Sequence, residues 1–154
     1  MKFRFVFVGK TTERWLQEGI QEYSKRLEHY ASVEIVVVPG STNREPVRQV
    51  EEEGNAILKA IGPKDWLILL DEHGETCSSV GLAELLEKRM NAGISSFAFV
   101  IGGAYGLSAS VREKAKLTLS LSKLTFTHQM VRVILLEQVY RAMTIRRGES
   151  YHHV

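Results

Sequence analysis

The sequence predicts an α/β domain built on a mainly parallel sheet flanked by helices. Short apolar runs alternate with longer stretches of helical spacing in the order βαβαβαβ, and no repeat or low-complexity segment interrupts them. The run Phe97-Ala98-Phe99-Val100-Ile101 passes directly into a glycine cluster, Gly102, Gly103 and Gly106. Glycines at the carboxyl end of a parallel strand let backbone approach a ligand, because no Cβ intervenes. The alternative is a glycine turn with a packing role only.

Lys2 to Val8 reads as the first strand, ended by Gly9. Thr11 or Thr12 caps a helix over Glu13 to His29, with Trp15, Ile20, Tyr23 and Leu27 at its apolar positions. Val33 to Val38 is a second strand, closed by Pro39-Gly40, and Ser41 to Glu45 reads as a mobile polar loop. A helix follows with Pro46 in its first turn and Val47, Val50, Ile57, Leu58 and Ile61 facing inward; Gly62-Pro63 stops it. Trp66 to Leu70 is a continuously apolar third strand, expected to be buried on both faces. Asp71 to Glu75 reads as one short turn, and no second His or Cys cluster completes a metal site with it. Ser78 or Ser79 caps a helix that packs Leu82, Leu85, Leu86 and Met90 and ends at Asn91-Ala92-Gly93. After the glycine cluster, Ser108 caps a short helix, Leu117 to Leu121 alternates as a strand, and Ser122 to Thr127 forms a polar turn.

At 154 residues the chain is read as one domain, 1–154, with 44% hydrophobic and 25% charged residues. No apolar run reaches the length of a membrane span, and the apolar N-terminus reads as a strand, without a cleavage-site pattern. A single cysteine, Cys77, excludes an internal disulfide and fits a reducing cytoplasm. Residues 105 to 154 carry eight Lys and Arg against three Glu, net +5, while the remainder is net −3. A basic third of this kind suits a polyanionic partner or makes a solvated helix face.

The last helix, His128 to Arg146, is apolar around nearly its whole circumference, so it is expected to be buried on more than one side, with a homodimer interface as the simplest cover. The His-rich tail Gly148 to Val154 reads as disordered. The glycine cluster is not GxGxxG, because Ile101 stands at its first position; P-loop and GxSxG patterns are also absent. What remains is a glycine site suited to a nucleoside held by backbone groups.

Several motifs in this order carry a resemblance: Phe99-Val100-Ile101-Gly102-Gly103, Gly106-Leu107, Leu119 to Phe126, His128-Gln129-Met130-Val131-Arg132-Val133, Glu137 to Ala142, and Tyr151-His152. Together they resemble the RlmH (YbeA) family, SPOUT-class methyltransferases of large-subunit ribosomal RNA, from Met1 to the C-terminus. The resemblance implies a C-terminal trefoil knot and S-adenosylmethionine as methyl donor. It implies a donor site at Leu70, Gly103 and the turn Ser122, Lys123, Leu124, Thr125, Phe126 and Thr127. It also implies a homodimer acting on assembled ribosomes at N3 of a pseudouridine in helix 69. No metal is needed, since a sulfonium methyl requires only an in-line nucleophile and positioning. His152 or Tyr151 of the tail is expected over the target base, Arg141 is counted with them as a catalytic candidate, and the tail acts in its own subunit or across the dimer. Arg132, Arg141 and His128 are expected to bind RNA. Two positions depart from the family: Thr127 stands where proline is usual, and His153-Val154 follow Tyr-His in place of Lys or Arg. The competing readings are a methyltransferase acting on transfer RNA and a non-catalytic, ribosome-associated nucleoside-binding protein.

Overall fold

The computed structural model describes residues 1–153 and contains five parallel strands. In chain order the elements are β1 (Lys2–Val8), α1 (Arg14–Leu27), β2 (Ser32–Val38), α2 (Pro46–Ala60), β3 (Trp66–Thr76), α3 (Ser79–Asn91), β4 (Ser96–Ile101), α4 (Ala109–Lys114), β5 (Leu117–Ser120) and α5 (Met130–Arg146). The sheet order is β2-β1-β4-β3-β5, and every pairing is parallel.

The period-two alternation of each strand sorts its side chains between two helical layers. Phe3, Phe5, Phe7, Trp66, Ile68, Phe97 and Phe99 face the layer made by α1, α3 and α5. Val6, Val8, Leu67, Leu69, Ala98 and Val100 face α2 and α4. The aromatic side is the thicker one, with Phe5 and Phe99 stacked at 5.3 Å between ring centroids. β4, with β1 and β3 on either side, is buried on both faces, and its carboxyl end opens into the glycine turn.

Several elements differ from the sequence reading. α1 starts at Arg14 behind Glu13, not behind a threonine cap. Thr11 and Thr12 instead meet α5: Thr12 N donates to Gln129 Oε1 at 2.9 Å, and Thr11 Oγ1 accepts from Arg132. Leu16, not Trp15, faces the sheet, and Trp15 stays 58% exposed. Val47 lies on the outer face of α2, whose inner face carries Glu53, Gly54 and Ile57. The Ser41 to Glu45 loop is tied down, because Ser41 N donates to Glu53 Oε1 and Asn43 and Glu45 amides are held by Ser41 and Asn43 side chains. Asp71 to Glu75 is not a turn: β3 runs on past a register shift and pairs Glu75 and Thr76 with Leu119 and Ser120.

α5 has a cover that the sequence reading missed. It lies on the sheet between α1 and α3, so three of its sides are occupied within the chain. The approach to α1 is tight at Gly19, where a Cβ would stand 3.1 Å from the Val133 side chain. The tail is also ordered up to His153. Tyr151 packs edge-on to Tyr140 at 4.7 Å, and Tyr30 donates to Glu149 at 2.6 Å. Four tyrosine rings and the arginines Arg26, Arg141 and Arg147 stack there, which supplies the apolar and cation–π contact that a polar tail otherwise lacks. Val154 lies outside the described residues.

Candidate active site

A cavity of about 730 Å³ opens at the carboxyl ends of β3, β4 and β5. This falls within the roughly 300–1,000 Å³ typical of small-molecule sites. Three segments of the chain build its walls. The β3 end supplies Leu70 to His73, the glycine turn supplies Gly102 to Leu107, and the segment after β5 supplies Leu121, Ser122 and Leu124 to His128. Leu70, Gly103, Ser122, Leu124, Thr125, Phe126 and Thr127 therefore meet in one place although they span 58 residues of chain. Lys123 does not line the cavity; it is exposed to solvent.

Local bonds shape each wall. Gly106 takes a φ of +87°, a conformation that favours glycine, and its amide donates to Gly103 O at 3.1 Å to close the turn. Ser108 caps α4 by accepting from Val111 N. In the polar turn, Ser122 Oγ accepts from Leu124 N at 2.9 Å. Thr127, where the family usually has proline, accepts from Met130 N through its side chain at 3.1 Å and so holds the entry to α5. A proline there would fix φ but could not make that bond.

Cross-links join the walls. Arg112 Nη2 donates to Asp71 Oδ2 at 2.6 Å, and Arg112 Nε donates to Leu107 O at 3.3 Å. Burial pushes the Asp71 carboxyl up, but the His73 amide and the Arg112 guanidinium outweigh it and hold the group below its ordinary value. Thr125 Oγ1 donates to Glu72 Oε2 at 3.2 Å, joining the β3 extension to the polar turn. Neither Asp71 nor Arg112 was singled out for this role from sequence. Their 41-residue separation hides the pair, although an aspartate at the end of an apolar strand was a visible signal.

Behind the glycine turn stands Glu53, 4% exposed. A Cβ on Gly103 would lie 2.5 Å from its Oε2, and a Cβ on the next residue of α2, Gly54, would lie 2.2 Å from Ser108 Oγ. Gly103 is thus required by space, since its φ is not positive.

The residues assigned to RNA from sequence separate into three places. His128 is exposed at the cavity wall. Arg141 sits on α5 with Glu137, to which it donates from Nε at 3.0 Å and Nη2 at 2.5 Å; its Nη1 meets His152 Nδ1 at 3.2 Å. Tyr151 donates to the same Glu137 oxygen at 3.0 Å. Burial, with hydrogen bonds to Tyr23 and Glu137, raises the Tyr151 phenol above its ordinary value. Arg141, Tyr151 and His152 therefore form one cluster, and none of them lines the cavity. The third place is the interior. Arg132 is 0% exposed and donates to Val8 O, Gly9 O and Thr11 Oγ1 at 2.7–2.9 Å, with its guanidinium over the Phe7 ring. The expectation that Arg132 contacts RNA is corrected: its two Nη nitrogens donate at the carboxyl end of β1, and no part of it reaches the surface.

Among the described residues no group of three or more His, Cys, Asp or Glu is arranged to hold a metal ion, and no helix is long and apolar enough to cross a membrane.

Comparison with known proteins agrees with this layout. The family model described as "Predicted SPOUT methyltransferase" matches residues 1–152. The protein named ribosomal RNA large subunit methyltransferase H from Flavobacterium johnsoniae is 45% identical, over 99% of this chain and 99% of its own. The protein of the same name from Geotalea daltonii is 46% identical, over 99% of this chain and 100% of its own. Among solved structures, a probable methyltransferase from Bordetella pertussis superposes with a TM-score of 0.58 at 13% identity, covering 92% of this chain and 93% of that one. A probable methylase family protein from Haemophilus influenzae gives a TM-score of 0.54 at 12% identity, covering 99% and 70%. The two superpositions speak for the fold alone. With the family model spanning almost the whole sequence and full-length relatives near 45% identity, the chain belongs to the SPOUT methyltransferases and, among them, to the RlmH family.

Proposed function

We propose that this protein transfers a methyl group from S-adenosylmethionine to large-subunit ribosomal RNA, at N3 of a pseudouridine in helix 69, acting in the cytoplasm on assembled ribosomes as a homodimer. The observation that carries the reading is the convergence of Leu70, Gly103, Ser122 and Leu124 to Thr127 on one cavity, in a chain whose full-length relatives bear the name of a ribosomal RNA methyltransferase. The cavity chemistry fits such a donor. Leu70, Ile101, Leu121 and Phe126 offer apolar wall, two turns offer main-chain edges, and the Asp71 and Glu72 carboxylates suit a positively charged sulfonium. The bound donor supplies an electrophilic methyl on sulfur. The protein holds it in line with N3 and helps the N3 proton leave. The family's C-terminal knot is part of this reading, with the segment after β5 as the threaded strand.

Arg141, Tyr151 and His152 are assigned to the acceptor base, and the tail is assigned to the active site of a second copy. Arg141 stands ten residues along α5 from Val131 at the cavity, about 15 Å of helix. That separation favours a tail reaching across a dimer over one acting on its own cavity. Exposed Trp15 and Met130, on the adjoining N-terminal turns of α1 and α5, supply apolar surface for the dimer contact. His128 at the cavity mouth is assigned to RNA, and exposed Lys123 of the polar turn is kept as an RNA-facing cation, not a donor contact.

The test is transfer of labelled methyl from S-adenosylmethionine to assembled ribosomes, free large subunits and bulk transfer RNA, with ribosomes taken from cells lacking this protein. Label mapped to one pseudouridine, chiefly in assembled ribosomes, is the expected result. Label in transfer RNA would move the acceptor. Donor binding without transfer to any acceptor would make the protein a ribosome-associated nucleoside binder.

A further inference from the structure

We infer that Arg112 is the group that recognises the carboxylate of the donor's amino-acid end, with Asp71 holding its guanidinium in place. This rests on the donor reading above and extends it to a subsite. Arg112 is the only Lys or Arg among the described residues that line the cavity. It is 43% exposed on its side chain, so it stands at the mouth and not in the packed interior. Two of its nitrogens are committed, Nε to Leu107 O and Nη2 to Asp71 Oδ2. Those bonds fix the plane of the guanidinium against the glycine turn, within 3.9 Å of the Cβ position of Gly106. Among the described residues Nη1 has no hydrogen-bond partner, and a fixed guanidinium with a free edge is a directional donor site for a carboxylate. The charge pattern of the mouth matches the ligand in sign as well. S-adenosylmethionine carries a sulfonium and an ammonium, both positive, and one carboxylate. The mouth offers the carboxylates Asp71 and Glu72 and one permanent cation. A zwitterion laid across the Asp71–Arg112 pair meets opposite charge at both ends.

The measurement is calorimetric titration of the full chain with S-adenosylmethionine and with its decarboxylated analogue, which keeps the sulfonium and ammonium and lacks only the carboxylate. Wild-type protein is expected to bind the analogue about tenfold more weakly, the scale of one charge-assisted hydrogen bond at a half-exposed site. In Arg112→Gln that preference should fall to within about twofold, and Arg112→Lys should restore part of it. Equal wild-type affinity for the two ligands would overturn the inference. So would an Arg112→Gln protein that loses affinity for both alike while keeping the preference, since Arg112 would then act through the turn. Equal wild-type affinity overturns the inference whether or not a variant folds, and Arg112→Lys carries the assignment if Arg112→Gln does not fold. Failure of wild-type protein to bind either ligand would overturn the donor reading itself, an outcome distinct from equal binding.

Discussion

The carboxylate of Glu53 occupies the space that a side chain on Gly103 would need, with its Oε2 2.5 Å from that Cβ position. Glu53 cannot easily swing aside, because it is buried and its Oε1 accepts from the Ser41 amide. Gly103→Ala is therefore expected to destabilise the protein by about 1–3 kcal/mol, the range of overpacking, and to weaken donor binding with it. In a double-mutant cycle by urea denaturation, Gly103→Ala with Glu53→Ala should lose less than the sum of the two single changes. Additive losses would count against this contact.

Arg132 is predicted to act on stability and not on RNA affinity. Arg132→Ala leaves the Val8 and Gly9 carbonyls without their charged donor and empties the space over Phe7. A loss of about 3 kcal/mol or more is expected, visible as a lower denaturation midpoint. A variant of ordinary stability that has lost ribosome binding would contradict the burial seen here.

The Asp71 carboxyl is held below its ordinary value of 3.8. A group depressed in the folded state contributes stability that is fully present above its unfolded value and is lost as pH falls through the folded one. Asp71→Asn should therefore melt below wild type at neutral pH, and the gap should close as the solution is acidified beyond the ordinary carboxylate range. A melting-temperature difference unchanged between neutral and strongly acid solution would show that the ion pair with Arg112 does not titrate in this way.

His152→Ala is expected to lower methyl transfer by tenfold or more, on the scale of a lost general acid–base or positioning group, while donor affinity stays within about twofold. Transfer kinetics and calorimetry on the same preparation separate the two. Mixing this variant with a donor-site variant such as Gly103→Ala should restore part of the activity if the tail acts across a dimer. Unchanged turnover in His152→Ala would remove the tail from the mechanism.

Much of the architecture is legible in residue pattern alone. Phe3, Phe5 and Phe7 against Val6 and Val8 announce a strand buried on two faces, and β4 running into Gly102-Gly103 announces a turn at a parallel strand's carboxyl end. These are local signals, set by period two and by the absence of Cβ atoms. The motifs from Phe99 to His152 also point to a family, and the family model and full-length relatives bear that out. Leu70, Gly103 and the turn residues other than Lys123 do line one cavity.

What the tertiary structure decided is where charges and outer faces end up. Arg132, Arg141 and Arg112 are alike in sequence, each a cation in a basic third of the chain. Packing buries the first under β1, pairs the second with Glu137 and the tail, and sets the third against Asp71 at the cavity mouth. Each fate depends on a partner: Val8 stands 124 residues from Arg132, and Asp71 stands 41 from Arg112. The same holds for α5, whose apolar circumference is met by α1 and α3 of its own chain, and for the tail, which lies on Tyr30 just past α1 and on Tyr140 of α5. Amino-acid spacing sets which face of an element is apolar; only the fold determines which distant group that face, or that charge, meets.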